Sequence, residues 1–357
     1  MKNVKNLIVY LIIALLCIAA FAGFLFTRKS GTDKAASAGT STVTASNQSE
    51  DDKQQHVKDV MANSVKTPDP NPVVGIGRGT DYAKVTSDAI SNAGGLKDII
   101  KKGSVVLIKP NLCFNAQPDT PITTDYRVVT EVVNEVKQLG AGRVIIAEGC
   151  FTGNALDDAS LRLNKFNTIQ GVEFYNFNDC EKKDCYEVSP KKSLVGKPMY
   201  IPKVYMDADV VIDIAKLKTH DMAVVTLSLK NLFGVPSEKI YGGMGEKDGL
   251  HDLDMDKAIV ELNTIRKADF SVIDGIISGE NSGPVSNTPV NSNIVFAGKD
   301  PVALDTVALN FMGFTVDKVP HVKLAAEQKL GISDLTKIKI NGADLNSIKM
   351  DFKSPFK

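Results

Sequence analysis

Beyond residue 72 the chain alternates short, unbroken apolar runs with stretches in which apolar residues recur every three or four positions. The runs predict strands covered on both faces, and the longer period predicts amphipathic helices. Val73 to Gly77 reads as a strand and Asp81 to Ala93 as a helix ended by Gly94-Gly95. Ser104 to Lys109 (SVVLIK), bounded by Gly103 and Pro110, reads as a strand buried on both sides. The stripe Val128, Val129, Val132, Val133 and Val136 predicts a helix capped by Thr123 or Thr124 and ended at Gly140, and Arg143 to Glu148 is the next strand. A strand, helix, strand unit of this kind implies a parallel pair with a right-handed crossover. Further strands are expected at Val172 to Phe177, Val210 to Ala215, Phe270 to Asp274 and Asn293 to Gly298. Helices are expected at Asp256 to Lys267, Ala303 to Met312 and Val322 to Lys329. The alternation predicts an α/β fold over residues 73–357, with a mostly parallel sheet and helices on both faces, as one large or two closely packed domains.

The first 72 residues follow other patterns. Residues 7–26 (LIVYLIIALLCIAAFAGFLF) carry no charge. About 20 such residues at 1.5 Å each match a hydrocarbon core of roughly 30 Å, so a transmembrane helix is expected. Lys2, Lys5 and Ala20-Phe21-Ala22 also suit a cleaved signal peptide, but the apolar run continues past that site to Phe26. Residues 1–6 are then a cytoplasmic tail, although Lys2 and Lys5 face Arg28, Lys29 and Lys34 almost evenly across the span. Residues 27–72, dominated by Ser, Thr, Ala, Asp and Gln, read as a flexible linker without enough apolar surface to fold. The expected arrangement is a single-pass membrane protein whose folded domain lies outside the cytoplasm.

Composition narrows the function. Forty-two Lys+Arg balance 42 Asp+Glu, so no surplus of positive charge favours nucleic acid. Outside the span the cysteines are Cys113, Cys150, Cys180 and Cys185. Cys180 and Cys185 can close a short disulfide loop in an oxidising compartment. No Cys-x-x-Cys pair occurs, so neither zinc nor an iron–sulfur cluster is expected. Cys113 and Cys150 are open to reading as nucleophile, ligand, disulfide or inert core.

Ligands of open parallel sheets bind beyond the carboxyl ends of the strands. Four predicted strands end there in reactive groups: Lys109 with Asn111, Glu148, Lys216-Leu217-Lys218-Thr219-His220, and Asp274. Polar residues resurface at any strand end, so it is the joint occurrence that argues for a site. Alternation along extended chain puts Lys216, Lys218 and His220 on one side, where two ammonium groups can grip a phosphate or carboxylate while the imidazole moves a proton. Lys230-Asn231 follows an apolar turn and can point back at the same place. Gly279 to Pro284 (GENSGP) is a turn whose amides, at Gly283 for example, could face an anion. Asp300 before Pro301 reads as a helix N-cap, and His251 with Asp252, Asp254 and Asp256 as an acidic helix start rather than a metal site.

Together VVLIKPNL (105–112), KLKTH (216–220), LKNLFG (229–234), Asp274-Gly275 with Glu280 and Gly283-Pro284, and DPVALD (300–305) resemble the domain of unknown function 362 family, in order, from Val73 to about Gly331. Many members look like iron–sulfur proteins because of a ferredoxin-like module, which this chain lacks. The resemblance supports the site residues but implies no reaction.

The residues thus point to an enzyme acting on a small anionic substrate, by metal-assisted hydrolysis or transfer or by proton abstraction beside a carbonyl. In that reading His220, Lys218 and Glu148 carry the chemistry, while Lys109, Asn111, Lys216, Lys230, Asn231 and Gly283 bind the substrate. Asp274, Glu280 and Asp305 would hold a divalent metal. The alternative is an anion- or envelope-component-binding protein without turnover, for which His220 and the carboxylates are dispensable.

Overall fold

The structure, a computed structural model, describes residues 49–150, 154–242 and 247–355. The expected tail (1–6) and membrane helix (7–26) lie outside the described residues, among which no helix is long and apolar enough to cross a membrane.

Residues 27–48 of the expected linker also lie outside the described residues, but its remaining part holds a helix. Helix α1 (Glu50–Ser64) begins in a capping box made by Ser49 and Asp52. It packs through Val57, Val60 and Met61 onto the main core, and His56 Nε2 lies 2.9 Å from Asp207 Oδ1. The three apolar residues lie on one side at helical spacing, which suffices to dock an otherwise polar helix.

Strand β1 (Val73–Arg78) leads into α2 (Tyr82–Asn92), β2 (Val105–Pro110), α3 (Tyr126–Gln138), β3 (Arg143–Glu148) and β4 (Glu173–Asn176). A separate hairpin, β5 (Cys185–Val188) and β6 (Met199–Pro202), follows. Then come β7 (Val210–His220), β8 (Val224–Thr226), the one-turn helix α4 (Ser228–Asn231), α5 (Met255–Arg266), β9 (Phe270–Glu280) and β10 (Thr288–Gly298). Helices α6 (Pro301–Phe311) and α7 (Pro320–Glu327) and strand β11 (Lys339–Gly342) complete the fold. The nine-stranded sheet runs β11-β1-β10-β9-β7-β2-β3-β4, with β8 paired to β7.

Pairing is parallel throughout β9-β7-β2-β3-β4, while β10 runs antiparallel to both β1 and β9. The sheet is therefore mostly parallel, and besides the short β8, antiparallel to β7, it has in β10 a reversed strand that an apolar run cannot reveal. Alternation along β2 sends Val106 and Ile108 to the face covered by α2 and α3, and Leu107 to the face covered by α5, α6 and α7. Helices cover both faces, as the pattern predicted.

Two predicted strands are longer than their apolar runs. β7 continues through Lys216 and Lys218 to His220 with all 11 residues buried, and β9 continues to Glu280. At the head of α3 the cap is Asp125, which accepts from Arg127 N at 3.0 Å, rather than Thr123 or Thr124. The Thr124 hydroxyl instead accepts from Asn111 N (2.9 Å) and donates to Ile214 O (2.7 Å), tying the β2 exit to β7.

Candidate functional site

The ends of β2, β3 and β7 are held together by a buried ion pair. Lys109 sits in register with Asp213 on the neighbouring strand, and both are wholly buried. Its Nζ lies 2.9 Å from both oxygens of Glu148 at the end of β3, and also donates to Pro110 O (3.0 Å) and Asn231 Oδ1 (3.3 Å). Glu148 accepts two backbone bonds as well, from Leu112 N at 2.9 Å and Gly149 N at 2.8 Å. A buried pair persists only when its remaining hydrogen-bonding capacity is met in this way. The helix α4 enters through Asn231, whose Oδ1 accepts from Asn111 Nδ2 (2.8 Å) and whose Nδ2 donates to Asp213 Oδ1 (2.6 Å). Lys109, Asn111 and Glu148 from the strand ends thus form one network with Asn231, which points back at them from α4.

Backbone comes close to this network because two glycines flank it. A methyl group at Gly234 would collide with the Glu148 carboxylate and lie 3.0 Å from Lys109 Nζ. One at Gly149 would lie 2.8 Å from Asn178 Oδ1 and 3.0 Å from Lys247 Nζ.

Lys216 leaves the opposite face of β7. Its Nζ donates to Asp274 Oδ2 at 2.8 Å, and the same oxygen accepts from Asp125 N at 2.9 Å. Asp274 is therefore committed to Lys216 and the head of α3. The register with β9 shifts after Lys216, which pairs with Asp274 whereas Lys218 pairs with Gly279, so the two amines meet different partners. Lys218 Nζ donates to Cys113 Sγ (3.1 Å), Ile122 O (2.5 Å) and Pro284 O (2.8 Å). None of these is a carboxylate, and burial lowers the pKa of the ammonium.

Two more lysines lack a carboxylate partner among the described residues. Lys230 Nζ stands 4.6 Å above the Phe233 ring, and burial together with Lys218 and Lys109 pushes it down to about 8. Lys247, which no motif or strand end singles out, donates to Gly149 O (2.9 Å) and Gly234 O (3.0 Å), and burial pushes it down to about 8. Five lysines thus meet at the strand ends with two of them, Lys109 and Lys216, neutralised by Glu148 and Asp274.

Several expected roles need correction. His220 Nδ1 accepts from Met222 N (3.1 Å) and Ala223 N (3.2 Å), which puts the ring proton on Nε2. Burial, then Lys230 and Lys218, push the imidazole down to about 2, so it offers a donor rather than a general base. Among the described residues no group of His, Cys, Asp or Glu is arranged to hold a metal. Asp274 serves Lys216, Glu280 accepts from Lys353 N at 2.9 Å and lies 3.3 Å from its Nζ, and Asp305 accepts from Ser228 N (2.8 Å) and Leu229 N (3.0 Å). Asp305 positions α4 and, through it, Lys230 and Asn231. The Gly283 amide is already used, donating to Asp221 Oδ1 at 3.0 Å, so it offers nothing to an anion. Cys180 and Cys185 are free cysteines rather than a disulfide. The Cys180 Sγ lies 3.2 Å from Tyr175 Oη. Asp300 accepts from Val302 N and Ala303 N, both at 2.9 Å, and Asp254 from Lys257 N at 3.2 Å, as expected of caps.

Asp213 was missed altogether. Burial pushes its carboxyl up to about 7 against the pull of Lys109 and Asn231, and its Oδ2 has no hydrogen-bond partner among the described residues. A lone carboxylate inside the apolar run VVIDIA was the available signal.

The sequence profile described as Domain of unknown function (DUF362) matches residues 106–310, more than half of the chain. The chain belongs to the DUF362 family. The matched segment of this DUF362 protein contains all five lysines and both of their carboxylate partners. A thylakoid-associated protein of Synechocystis sp. is 29% identical to it over 244 residues, 67% of this chain and 72% of the relative. Two solved structures are more distantly similar. The lactate racemase apoprotein from Thermoanaerobacterium thermosaccharolyticum shares 12% identity at a TM-score of 0.44, over 67% of this chain and 55% of that one. A Thermotoga maritima protein shares 11% at 0.42, over 70% and 60%. The DUF362 chain thus spans less than two thirds of the length of either structure, and at these scores neither bears on its activity.

Proposed function

We propose that this DUF362 protein is an enzyme that holds a small carboxylate or phosphate at the ends of β2, β3 and β7 and moves a proton to or from it. The observation that carries this reading is the charge imbalance at the strand ends: Lys218, Lys230 and Lys247 have no carboxylate partner among the described residues. Buried ammonium groups without counter-charge, as at Lys218 and Lys247, are costly, and an anionic ligand beside the half-buried Lys230 relieves that cost. Lys218 is saturated by three carbonyl and thiol acceptors and Lys247 has two carbonyls, so they contribute mainly positive field. Lys230, resting on a ring face, retains N–H donors for the anion. With its pKa near 8 it also exchanges a proton close to neutral pH, the condition for a general acid or base. Lys230 therefore takes the role that the sequence assigned to His220. The reading further includes a membrane tether through residues 7–26, checked by whether the full chain stays with membranes after carbonate washing.

The test is exchange of solvent deuterium into C–H bonds beside the carboxylate in a panel of small carboxylic acids, followed by proton NMR. Wild type should exchange at least one member, and Lys230→Gln should weaken binding but slow the exchange at saturating acid by about 10²-fold or more. A chain that binds carboxylates and phosphate but exchanges none of them is a receptor, the reading in which His220 and the carboxylates are dispensable.

A further inference from the structure

Five large apolar side chains are substantially exposed among the described residues: Val65, Phe114, Leu163, Met222 and Val285. Three of them border the lysine site. Phe114 (44% exposed) follows Cys113, whose Sγ accepts from Lys218. Val285 (36%) follows Pro284, whose carbonyl accepts from the same Nζ. Met222 (62%) lies in the turn between β7 and β8, where its own amide donates to His220 Nδ1. That turn is joined to the Val285 loop by Asp221 N to Gly283 O (3.1 Å) and Gly283 N to Asp221 Oδ1 (3.0 Å). Exposed apolar residues scattered singly need no explanation, but three on interlocked loops around one buried charge form an apolar rim over a cationic floor.

We propose that the ligand of this site is an amphiphilic anion, with its carboxylate or phosphate head among the lysines and an aliphatic tail on the rim of Phe114, Met222 and Val285. The proposal rests on the anion-site reading above and adds the tail. Charge complementarity fixes which end enters: Lys218 is wholly buried, whereas Met222 stands in solvent. The tail is held as part of a single molecule arriving from solution. A bilayer surface would present its heads to the rim and could not carry one down to a buried amine without extracting the lipid.

The experiment uses the full-length chain in nanodiscs of phosphatidylcholine, with dissociation constants for inorganic, butyl and hexyl phosphate measured by calorimetry at pH 7. Full burial of a methylene strengthens binding about fourfold, and one-sided cover about twofold. At about twofold per carbon, butyl phosphate is expected to bind about 16-fold tighter than phosphate, and hexyl phosphate about fourfold tighter again. The triple variant Phe114→Ser, Met222→Ser, Val285→Ser should bring all three constants to within about twofold of one another. Its constant for inorganic phosphate should stay at the wild-type value, which also shows that the variant folds. If phosphate and the alkyl phosphates all fail to bind, the anion site itself falls. If phosphate binds, and Lys230→Gln weakens it, but the chain adds nothing, the tail is refuted while the anion site stands. A chain-length effect that survives the triple variant also refutes it, as does capture by nanodiscs doped with phosphatidic acid without any effect of chain length.

Discussion

Lys109→Met tests the centre of the site most directly. The substitution keeps the length of the side chain but leaves Glu148, itself 3% exposed, without the cation that touches both its oxygens. The amides of Leu112 and Gly149 remain as its donors. Removing one partner of a buried pair costs about 3–5 kcal/mol because the other charge stays buried. Glu148→Gln makes the converse change, leaving Lys109 with Pro110 O and Asn231 Oδ1, and should cost about as much. In the double variant neither charge remains and the new side-chain amide oxygen at position 148 still accepts from backbone, so the cost should fall well below the sum of the two. The coupling energy is expected at about 3 kcal/mol, against the few tenths found for independent sites. Urea denaturation followed by circular dichroism reads it. With a slope of about 3 kcal/mol per M for a domain this large, each single change should lower the midpoint by about 1–1.5 M without altering the slope. Single variants within about 1 kcal/mol of wild type, or effects that simply add, would refute the pair.

His220 is held neutral in the fold, down to about 2, whereas in the unfolded chain it titrates near 6.5. Between those values the unfolded state holds the extra proton, so this contribution to stability is present above pH 6.5 and is lost as pH falls. The slope is about 1.4 kcal/mol per pH unit, and His220→Asn, whose Oδ1 can accept the same backbone N–H bonds, should lose one proton's worth of it between about pH 3 and 6 in urea midpoints. Asp305→Ala strands the amides of Ser228 and Leu229 and should cost about 2–4 kcal/mol, with a loss of anion affinity that no added divalent metal restores. Gly234→Ala drives a methyl group into the Glu148 carboxylate and should cost about 1–3 kcal/mol; a fully stable variant would show that the backbone does not approach the pair. Val60→Ser should lower the melting temperature of the folded domain measurably if α1 is docked, and leave it untouched if residues 49–72 are only a tether.

Much of this architecture was legible because apolar runs and helical stripes report burial directly. The run at 104–109 and the valine stripe at 128–136 correspond to β2 and α3 almost residue for residue. Direction is not encoded that way: β10 has the same apolar core (Ile294 to Ala297) as its parallel neighbours, and its reversal arises only from what it pairs with. α1 was hidden because three apolar residues in a polar helix do not outweigh the local composition. At the site, strand-end position identified Lys109, Glu148, Lys216 and Asp274, since the fold brings those ends together. It could not say which carboxylate faces which amine. Asp305 and Glu280 were read as metal ligands because sequence shows a charge but not the backbone amide that uses it. Lys247 lies far along the chain from any predicted strand, and only the folded path carries its amine back to Gly149.

The placement of β1 has a consequence for how the protein is made. Its flanks are β10 and β11, so Val74 pairs with Gly298 on one side and with Ile340 on the other. This strand, the first among the described residues, therefore waits until β10 has followed before either edge is satisfied. Such long-range closure slows folding and leaves an unpaired edge exposed meanwhile. The parallel block β9-β7-β2-β3-β4 has no such dependence on the C-terminal segment beyond β10. Nascent chains stalled after α6 should thus contain the lysine cluster already assembled, with β1 still waiting for its outer partner.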